Sequence, residues 1–593
     1  MRHPWNRVVL GFFGLALLSF LLLSNFFDWD HFFATHEADF RSWILDGQPP
    51  LWSYQFCAGS SRVGDPQALG LSPLFMWVLL LGPIWGSKVL VFCCVLIGAY
   101  YTRKLLLLWV QTLRSEQSNS TVVWVDVVTV MFWGSNFFLW HLHVGHVTFA
   151  LMGLGVGLVY YTWKAWLQSF SRWDWLWGTL LSATYYAGGF IQSTVYFLLP
   201  LFLAMALAWG GYTIRLLLKK QSVVPWLKRW AASVGFHLLG ILLASYKLYA
   251  VMAYQRELPR TLSASTEYVS LKEIVLAHFV PTFNHSFVGL GKSLGTNKFG
   301  IWENSQFNVL VWLLLIYAGW WVWRKIKASS ANDESEAATV DSDAHDADKG
   351  WLIWLFLACY GVIALAFSLG DTLSWGPHSW FNQTVFHGSI RVVQRYQVSL
   401  LLFVTLGATA VWARDEQFQT FFVRVLAIPL LALVGLNALS FTSSLSLGQL
   451  QFLLKKKGPR QTKMKWLVIS PHRRGSLPQM HQIVKLNMGV INCYTPLRLD
   501  HRAFAREMPY TRKGVKFDGF TSVSEPRLRP FSLIDRKTTK ASKACLRKSY
   551  YTQTHVVVAP ECPRRVCLNI RQPNPYLSSN WTYDAKIGKY CRR

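Results

Sequence analysis

The chain of 593 residues is 52% hydrophobic and only 15% charged, a balance that excludes an ordinary soluble enzyme and favours repeated membrane spans. Its formal net charge is +29, and residues 451–593, with 30 basic and 7 acidic side chains, carry +23 of it. A basic segment beside a membrane is expected to attract anionic lipids or anionic envelope polymers, and its membrane tether argues against nucleic acid as a partner.

Apolar stretches along the first 441 residues predict the membrane spans, since each approaches the roughly 20 residues needed to cross a bilayer core. The first follows Arg2 and Arg7 and, because no small-residue cleavage site ends it, is predicted to be a retained helix. The eleven predicted spans are 8–27, 88–107, 122–140, 147–167, 175–192, 194–212, 230–250, 307–323, 351–369, 396–413 and 421–441. The run 72–83 is too short to cross and is predicted to be re-entrant or interfacial.

Lysines and arginines in alternate connections predict the orientation, because cytoplasmic connections are enriched in positive charge. The basic connections hold Arg103, Lys104, Arg114, Lys164, Arg172, Arg215, Lys219, Lys220, Lys228, Arg229, Arg324, Lys325, Lys327 and Arg414. The other connections, 28–87, 141–146, 251–306 and 370–395, are therefore predicted to face away from the cytosol. With an odd number of spans and a cytoplasmic N-terminus, the C-terminus of this inner (plasma) membrane protein is predicted to lie outside.

Two segments differ from the rest of the predicted membrane domain 1–441. The linker 328–350 is acidic and rich in small residues, which predicts a disordered cytoplasmic loop without a catalytic role. Residues 442–593 contain β-prone runs such as "KWLVIS" and "THVVVAP" and predict a small β-rich or α+β extracytoplasmic domain. In an oxidising compartment, four of its cysteines would form two disulfides, with the pairing left open. The cysteines are Cys493, Cys545, Cys562, Cys567 and Cys591.

The first outer loop holds the candidate catalytic carboxylates, Asp28 and Asp30. A carboxylate at the end of a span can stay hydrated and ionised, and it can take a proton from an attacking hydroxyl. The alternative is that the two residues only end the helix on its water side. Residues 32–45 then predict an amphipathic helix along the interface, which Gly47 is expected to end.

Basic side chains in other outer segments are candidates for ligand binding. Arg391 and Arg395 are four residues apart, so a helical continuation would place both guanidinium groups on one face, suited to a phosphate or diphosphate. Contact with ordinary lipid phosphate is the alternative. The spacing of His141, His143 and His146 permits a divalent metal site, although no cysteine or carboxylate is adjacent to complete it. No cofactor is assigned, and a divalent metal stays open.

Several segments resemble one bacterial family in the same order along the chain. They are "DGQPPLW" and "DPQALGLSPLF" in the first outer loop, then "GHVTFALMGLG", "GGFIQSTVYFLLPL", "SYKLYAVMAYQRE", "ENSQFNVLVWLLL", "FHGSIRVVQRYQVSLL" and "NMGVINCYTPLRL". They resemble the YfhO-type membrane proteins of the GT-C glycosyltransferase superfamily. The resemblance implies a mainly α, polytopic membrane fold of GT-C type. It also implies inverting sugar transfer from polyprenyl phosphate at the outer face, with Asp30, or next Asp28, as the base.

Further polar residues are candidates for contact with the substrates. His146 matches the family motif and is expected to contact donor or acceptor, with helix capping or packing as the alternative. Gln192, Tyr196, Glu303 and Asn304 lie near the ends of predicted spans and are candidates for hydrogen bonds to sugar hydroxyls. The sequence has no glycine loop of the nucleotide-binding type, so direct use of a cytoplasmic nucleotide is not expected.

Three functions remain open at this point. The leading hypothesis is a glycosyltransferase that uses a polyprenyl-phosphate-linked sugar and modifies a cell-envelope glycan, lipid or anionic polymer. A transporter or flippase for lipid-linked sugars is the first alternative, because many spans and an arginine-lined cavity also serve translocation. The second alternative is a non-catalytic envelope-assembly protein that binds polymers through its basic domain.

Overall fold

The computed structural model describes most of the predicted membrane domain and short strands beyond it. The described residues are 29–53, 60–114, 119–188, 193–257, 269–279, 308–330, 344–385, 390, 392–413 and 415–442, with isolated helical positions 11, 14 and 17 and nine strands after residue 466. The predicted first span, 8–27, therefore lies largely outside the described residues.

Helices dominate the described part of the chain. They are α1 (Trp29–Ile44), α2 (Met76–Leu113), α3 (Asn119–Trp133), α4 (Asn136–Val144), α5 (Met152–Leu167), α6 (Arg172–Ala187), α7 (Leu199–Leu218), α8 (Val224–Leu243), α9 (Ser245–Glu257), α10 (Leu271–Phe279), α11 (Val309–Ser330), α12 (Ala344–Ser368), α13 (Pro377–Thr384), α14 (Gln397–Trp412), α15 (Glu416–Phe421) and α16 (Ala427–Thr442). Short 3-10 turns precede α5 and α14, and π turns precede α7 and α16.

Several of these helices match predicted membrane spans. Among the described residues, Pro73–Leu113, Thr194–Leu218, Lys349–Ser368 and Gln417–Leu436 are long and apolar enough to cross a bilayer. The pairs α3–α4 and α8–α9 also qualify if each pair is one span, although they are bent by 41° and 64°. Predicted spans 147–167, 175–192 and 396–413 fall on helices of 16 residues, so the total of eleven stays a prediction.

Local interruptions of helical geometry account for a kink within α2 and for the bend between α3 and α4. Within α2, Gly82 has a non-helical φ of 79° and Pro83 follows it, and proline removes a backbone donor from the helix. The short run 72–83 is thus joined to the following span through a kink. Between α3 and α4, a Cβ added to Gly134 would overlap the side chain of Val434 on α16. This bend therefore depends on close approach of two distant segments.

The helix α2 lies at the centre of the bundle and packs on α1, α3, α5, α12 and α14. Its closest approach is to α5, where a Cβ on Gly153 would overlap the carbonyl oxygen of Cys94, and one on Gly98 would overlap the Trp133 ring. Small residues at such crossings let helix backbones approach closely in membrane bundles. Glycine at these two positions thus allows the central pair to form.

Polar contacts between elements fall into two groups that match the two predicted sides. On the predicted cytoplasmic side, Lys164 pairs with Asp174 at 2.5 Å and Arg324 with Asp415 at 3.3 Å. On the predicted outer side, Trp29 Nε1 donates to the Leu142 carbonyl at 2.8 Å. The helix ends that the charge pattern assigns to one side therefore meet in space.

Two other predicted segments are described in part. Within 328–350, α11 extends to Ser330 and α12 begins at Ala344, so both ends of the predicted disordered loop are helical, and 331–343 lies outside the described residues. In the first outer loop, β1 (Trp52–Ser53) pairs antiparallel with β2 (Ser60–Ser61). Beyond the bundle, the strands are β3 (Leu467–Val468), β4 (Gly489–Val490), β5 (Arg527–Leu528), β6 (Phe531–Leu533), β7 (Tyr550–Tyr551), β8 (Val556–Val557), β9 (Val566–Leu568), β10 (Trp581–Asp584) and β11 (Lys589–Arg592). They form sheets of order β10-β11-β9-β6, β4-β3-β5 and β7-β8.

Candidate active site at the predicted outer end

Three of the nine candidate site residues are described with their side chains: His146, Tyr196 and Arg395. Asp30 is described only as backbone in the first turn of α1. The remaining candidates, Asp28, Gln192, Glu303, Asn304 and Arg391, lie outside the described residues. The geometry of the site is therefore built from the first three side chains, the position of residue 30 and their neighbours.

The first turn of α1 is anchored beside α4. The Trp29 side chain is fully buried, and its Nε1 donates to the Leu142 carbonyl at 2.8 Å. On its other side, the Lys88 ammonium lies 5.1 Å from the Trp29 ring centroid. Residue 30 follows Trp29 directly, so it belongs to the turn that the Trp29 side chain ties to α4, the helix that carries His141 and His143.

Two of the three outer histidines meet each other, and the third does not join them. The helix α4 ends at Gly145, whose φ of 99° turns the chain back. This turn brings Nδ1 of His146 within 2.8 Å of Nδ1 of His141. Two ring nitrogens at this distance share one proton, because one must donate and the other accept. The His143 ring instead packs against Trp140, at a centroid distance of 6.0 Å.

The described residues do not favour a metal site at these histidines. Among them, no group of three or more His, Cys, Asp or Glu side chains is arranged to hold a metal ion.

Arg395 connects the histidines to the second half of the chain. Its guanidinium carbon lies 5.4 Å from the ring centroid of Phe149 and 5.9 Å from that of Tyr196. The Phe149 ring in turn stacks on His141 at 4.3 Å and lies 6.1 Å from His146. Two of the described candidates, His146 and Arg395, thus lie near Phe149, and the third, Tyr196, lies near Arg395, at distances typical of aromatic and cation–π contacts.

The backbone before Arg395 differs from the predicted helical continuation. The 3-10 turn begins at Val393, and Val392 is extended, with φ −115° and ψ 91°. A single helical face shared by residues 391 and 395 is therefore not formed. Before this 3-10 turn, the Asn382 side-chain amide donates to the Ile390 carbonyl at 3.3 Å and accepts a hydrogen bond from the Ile390 N–H at 3.1 Å. This double contact fixes the chain that leads to Arg395.

Comparisons with known proteins give one distant structural likeness. No protein-family model matches the chain, and no curated protein matches it. Among solved structures, it is similar to ArnT from Cupriavidus metallidurans bound to undecaprenyl phosphate, with a TM-score of 0.43 and 10% identity, over 86% of this chain and 89% of that one. A likeness at this level assigns neither a family nor an activity to the chain.

A buried network of four charged residues joins the first outer loop to α1 and α9. Arg62 Nε and Nη2 donate to the two oxygens of Asp39 on α1 at 2.7 and 2.9 Å, and Nη1 donates to Asp65 at 2.8 Å. Lys247 on α9 donates to the Asp65 carbonyl at 2.6 Å. Burial raises the pKa of Asp39 and Arg62 opposes that rise; because both oxygens accept guanidinium hydrogen bonds, the carboxylate is ionised.

These charged residues were missed by the sequence reasoning, although two signals were present. Asp65 is the first residue of the quoted segment "DPQALGLSPLF", and Arg62 lies three residues before it. Lys247 lies within the predicted span 230–250. Ionisable residues in apolar spans are rare and generally functional. The amphipathic helix in this loop is confirmed as α1, but its polar residues Glu37 and Asp39 are buried and do not face water.

Proposed function

We propose that the chain is a membrane glycosyltransferase that moves a sugar from a polyprenyl-phosphate donor to an envelope acceptor at the outer membrane face. The observation that carries this proposal is the convergence of four distant segments. The Trp29–Leu142 contact ties the first turn of α1, which contains residue 30, to α4. The Phe149 ring lies near His146 and Arg395, and Arg395 lies near Tyr196. These contacts support a candidate base and a candidate phosphate-binding cation at the same end of the bundle.

In the proposed reaction, the Asp30 carboxylate takes the proton of an acceptor hydroxyl. That oxygen forms a bond to the anomeric carbon of the donor sugar from the face opposite the phosphate. The bond between the anomeric carbon and the phosphate oxygen breaks, and its electron pair leaves with polyprenyl phosphate. Arg395, with Arg391, stabilises the phosphate charge through charge-assisted hydrogen bonds. The anomeric configuration is inverted.

The described partners of Arg395 suit this role. A guanidinium over two aromatic faces keeps its donors in a fixed plane, which favours bidentate contact with phosphate oxygens. Its side chain is half-buried, so a lipid headgroup has access to it. His146 is also half-buried, and its ring lies 6.1 Å from that of Phe149. It is proposed to contact donor or acceptor.

The proposal is tested with the full chain in proteoliposomes, using polyprenyl phosphate hexoses with a labelled sugar and envelope extracts as acceptors. General-base removal usually costs 10²–10⁴-fold in rate, so Asp30→Asn is expected to lower transfer by at least about 100-fold. Asp174→Asn, at the opposite end of the bundle, is the matched control and is expected to retain transfer. Correctly inserted Asp30→Asn protein with the parent rate would rule out this mechanism.

One observation favours a lipid-linked sugar transporter as the second candidate. The bends of 41° and 64° in α3–α4 and α8–α9 interrupt two helical pairs, and interrupted helices line substrate sites in many transporters. The same vesicles separate the two functions. Movement of labelled lipid between leaflets without a new glycosidic bond would support transport, whereas a new bond without net movement would support transfer.

A further inference from the structure

A second set of polar groups lies behind Arg395, around the fully buried side chain of Tyr396. The Tyr396 ring lies 4.9 Å from Tyr196, 4.9 Å from Phe367 and 5.6 Å from His378, measured between ring centroids. Gln394 and Gln397 lie two residues before and one residue after Tyr396 along the chain. Tyr196 belongs to both sets, since its ring also lies 5.9 Å from the Arg395 guanidinium.

Four buried polar atoms of this set have no hydrogen-bond partner among the described residues. They are the Tyr396 hydroxyl, Nδ1 of His378 and the side-chain carbonyl oxygens of Gln394 and Gln397. Tyr396, His378 and Gln397 are each at most 2% exposed. Unpaired buried polar atoms destabilise a protein, and native structures contain few of them. Two of them belong to rings in contact, Tyr396 and His378, and the other two to residues next to Tyr396 in the chain, which points to a ligand that supplies the missing partners.

The chemistry of the set favours neutral hydroxyl groups. None of the four atoms belongs to an arginine, lysine or carboxylate, while aromatic rings of Tyr196 and Tyr396 provide flat apolar faces. Hydroxyls that donate and accept, on an apolar ring, complement such a surface. The neighbouring cation, Arg395, is suited to an anion instead. Together they match a ligand with a phosphate attached to a polyhydroxylated ring.

We infer that this set, defined by Tyr396, His378, Gln394 and Gln397, binds the hydroxyl groups of the sugar carried by the lipid phosphate. The inference rests on the proposed function and adds to it the residues that recognise the sugar. Gln394 is the half-buried member of the set, and Arg395 next to it is also half-buried; in this scheme the sugar enters from their side. The lipid phosphate then stays at Arg395 while the sugar reaches Tyr396.

His378 has a defined orientation in this scheme. Its Nε2 lies 3.7 Å from an Asp371 carboxylate oxygen, which also accepts a hydrogen bond from Ser379 at 3.1 Å. A carboxylate on this side favours the proton on Nε2, which leaves Nδ1 as an acceptor. Nδ1 therefore accepts from a sugar hydroxyl, and the Tyr396 hydroxyl is able to donate to or accept from another.

The test uses Tyr396→Phe, which removes one hydroxyl and keeps the ring. Because the hydroxyl is unpaired without ligand, its loss should leave the Tm of the ligand-free protein unchanged or raised. With ligand, the same change should remove one hydrogen bond and weaken binding by about 3- to 10-fold. A hydroxyl that only supports the fold would lower the ligand-free Tm instead.

Binding is measured on the full-length protein in nanodiscs, with polyprenyl phosphate and three of its sugar conjugates, carrying glucose, mannose or N-acetylglucosamine. The parent protein is expected to bind at least one sugar conjugate more tightly than bare polyprenyl phosphate. Tyr396→Phe should reduce that difference and leave binding of the bare lipid unchanged. Gln397→Leu is the second variant and should act in the same direction. Tyr101→Phe, whose hydroxyl pairs with Tyr161 at 3.3 Å near the opposite end, is the control.

The outcomes separate this inference from the proposed function. Equal binding of bare and sugar-bearing lipid in parent and variants would overturn the sugar site and leave phosphate binding intact. Binding of none of the four lipids would overturn the proposed function and this inference together. A lower ligand-free Tm in both Tyr396→Phe and Gln397→Leu would overturn the sugar site without reference to any lipid.

Discussion

His278 couples protonation of one side chain to the stability of α10. It is buried, neither ring nitrogen has a hydrogen-bond partner among the described residues, and burial lowers its pKa to about 4. In the unfolded chain, the His278 imidazole binds a proton near pH 6.5, whereas in the folded protein it stays neutral at that pH. Stability should therefore fall as pH decreases from about 7 to about 4, by up to about 3 kcal/mol, and then level off.

The measurement compares thermal unfolding of the parent protein and His278→Leu in detergent between pH 7 and 4. The leucine variant should lose less stability over this range, because it has no group that is charged only when unfolded. Parallel pH profiles for the two proteins would show that His278 is not held neutral by the fold.

Arg395 gives a second prediction at the scale of one residue. Arg395→Lys keeps the charge but loses the planar fork that stacks on Phe149 and Tyr196 and binds phosphate with two hydrogen bonds. We expect the KM for the lipid donor to rise by about 10-fold, corresponding to one charge-assisted hydrogen bond. Arg215→Lys is a matched control, since Arg215 lies 4.5 Å from the Trp351 ring at the predicted cytoplasmic end. Equal effects of the two variants would contradict a specific role for Arg395.

The sequence identified some of these residues and missed others for physical reasons. His146, Tyr196 and Arg395 stand out as polar residues at predicted helix ends, and the fold places His146 and Arg395 near Phe149 and Tyr196 near Arg395. Tyr396 does not stand out, because a tyrosine at a membrane boundary is common. Its special feature is an unpaired hydroxyl, which depends on neighbours from other helices and has no signature in the sequence.

At the scale of elements, the buried charges between α1, the first outer loop and α9 hold three segments together. Arg62→Met would leave the carboxylates of Asp39 and Asp65 buried without their guanidinium partner. Breaking a buried ion pair in this way costs about 3–5 kcal/mol. The space around Asp39 is also tight, because a Cβ on Gly70 would come within 2.7 Å of its oxygen. We expect a large decrease in the Tm of Arg62→Met.

The control for this prediction is an ion pair near the surface. Arg324 pairs with Asp415 at 3.3 Å, and its side chain is 44% exposed. Such pairs contribute about 0–1 kcal/mol, so Arg324→Met should change the Tm little. Both variants are measured by thermal unfolding in the same detergent. Similar Tm decreases would mean that the buried network contributes no more to stability than the surface ion pair.

Helix positions were more predictable than the breaks within helices. Apolar length placed α2, α7, α12 and α16 on predicted spans, because crossing a bilayer fixes the number of apolar residues. The joining of run 72–83 to the following span was not predicted, since its short length predicts a separate re-entrant or interfacial segment. The bend at Gly134 depends on contact with Val434, which lies 300 positions later in the chain and is invisible to a local pattern.

At the scale of the whole molecule, the bundle has two polar ends whose contacts agree with the charge pattern. Helical structure and the grouping of contacts follow from the described residues, but the assignment of one end to the cytosol comes from the positive-inside rule alone. The proposed reaction depends on that assignment, since a lipid-linked sugar donor is expected at the outer face. Sidedness is therefore the property of the whole chain on which the proposed site depends.

Sidedness is testable with single cysteines at one exposed position of each end. Trp375 is 82% exposed and lies in the predicted outer segment 370–395, whereas Gln221 is exposed in the predicted cytoplasmic turn after α7. The nine native cysteines are first replaced by serine, and intact cells are treated with a membrane-impermeant maleimide. Trp375→Cys should be labelled, and Gln221→Cys should be labelled only after lysis. The reverse pattern would place Arg395 and residue 30 on the cytosolic side. The orientation predicted from the charge pattern and the proposed use of an outer-face donor would then both be wrong. Labelling of both in intact cells would mean instead that the two polar ends do not lie on opposite sides of one membrane.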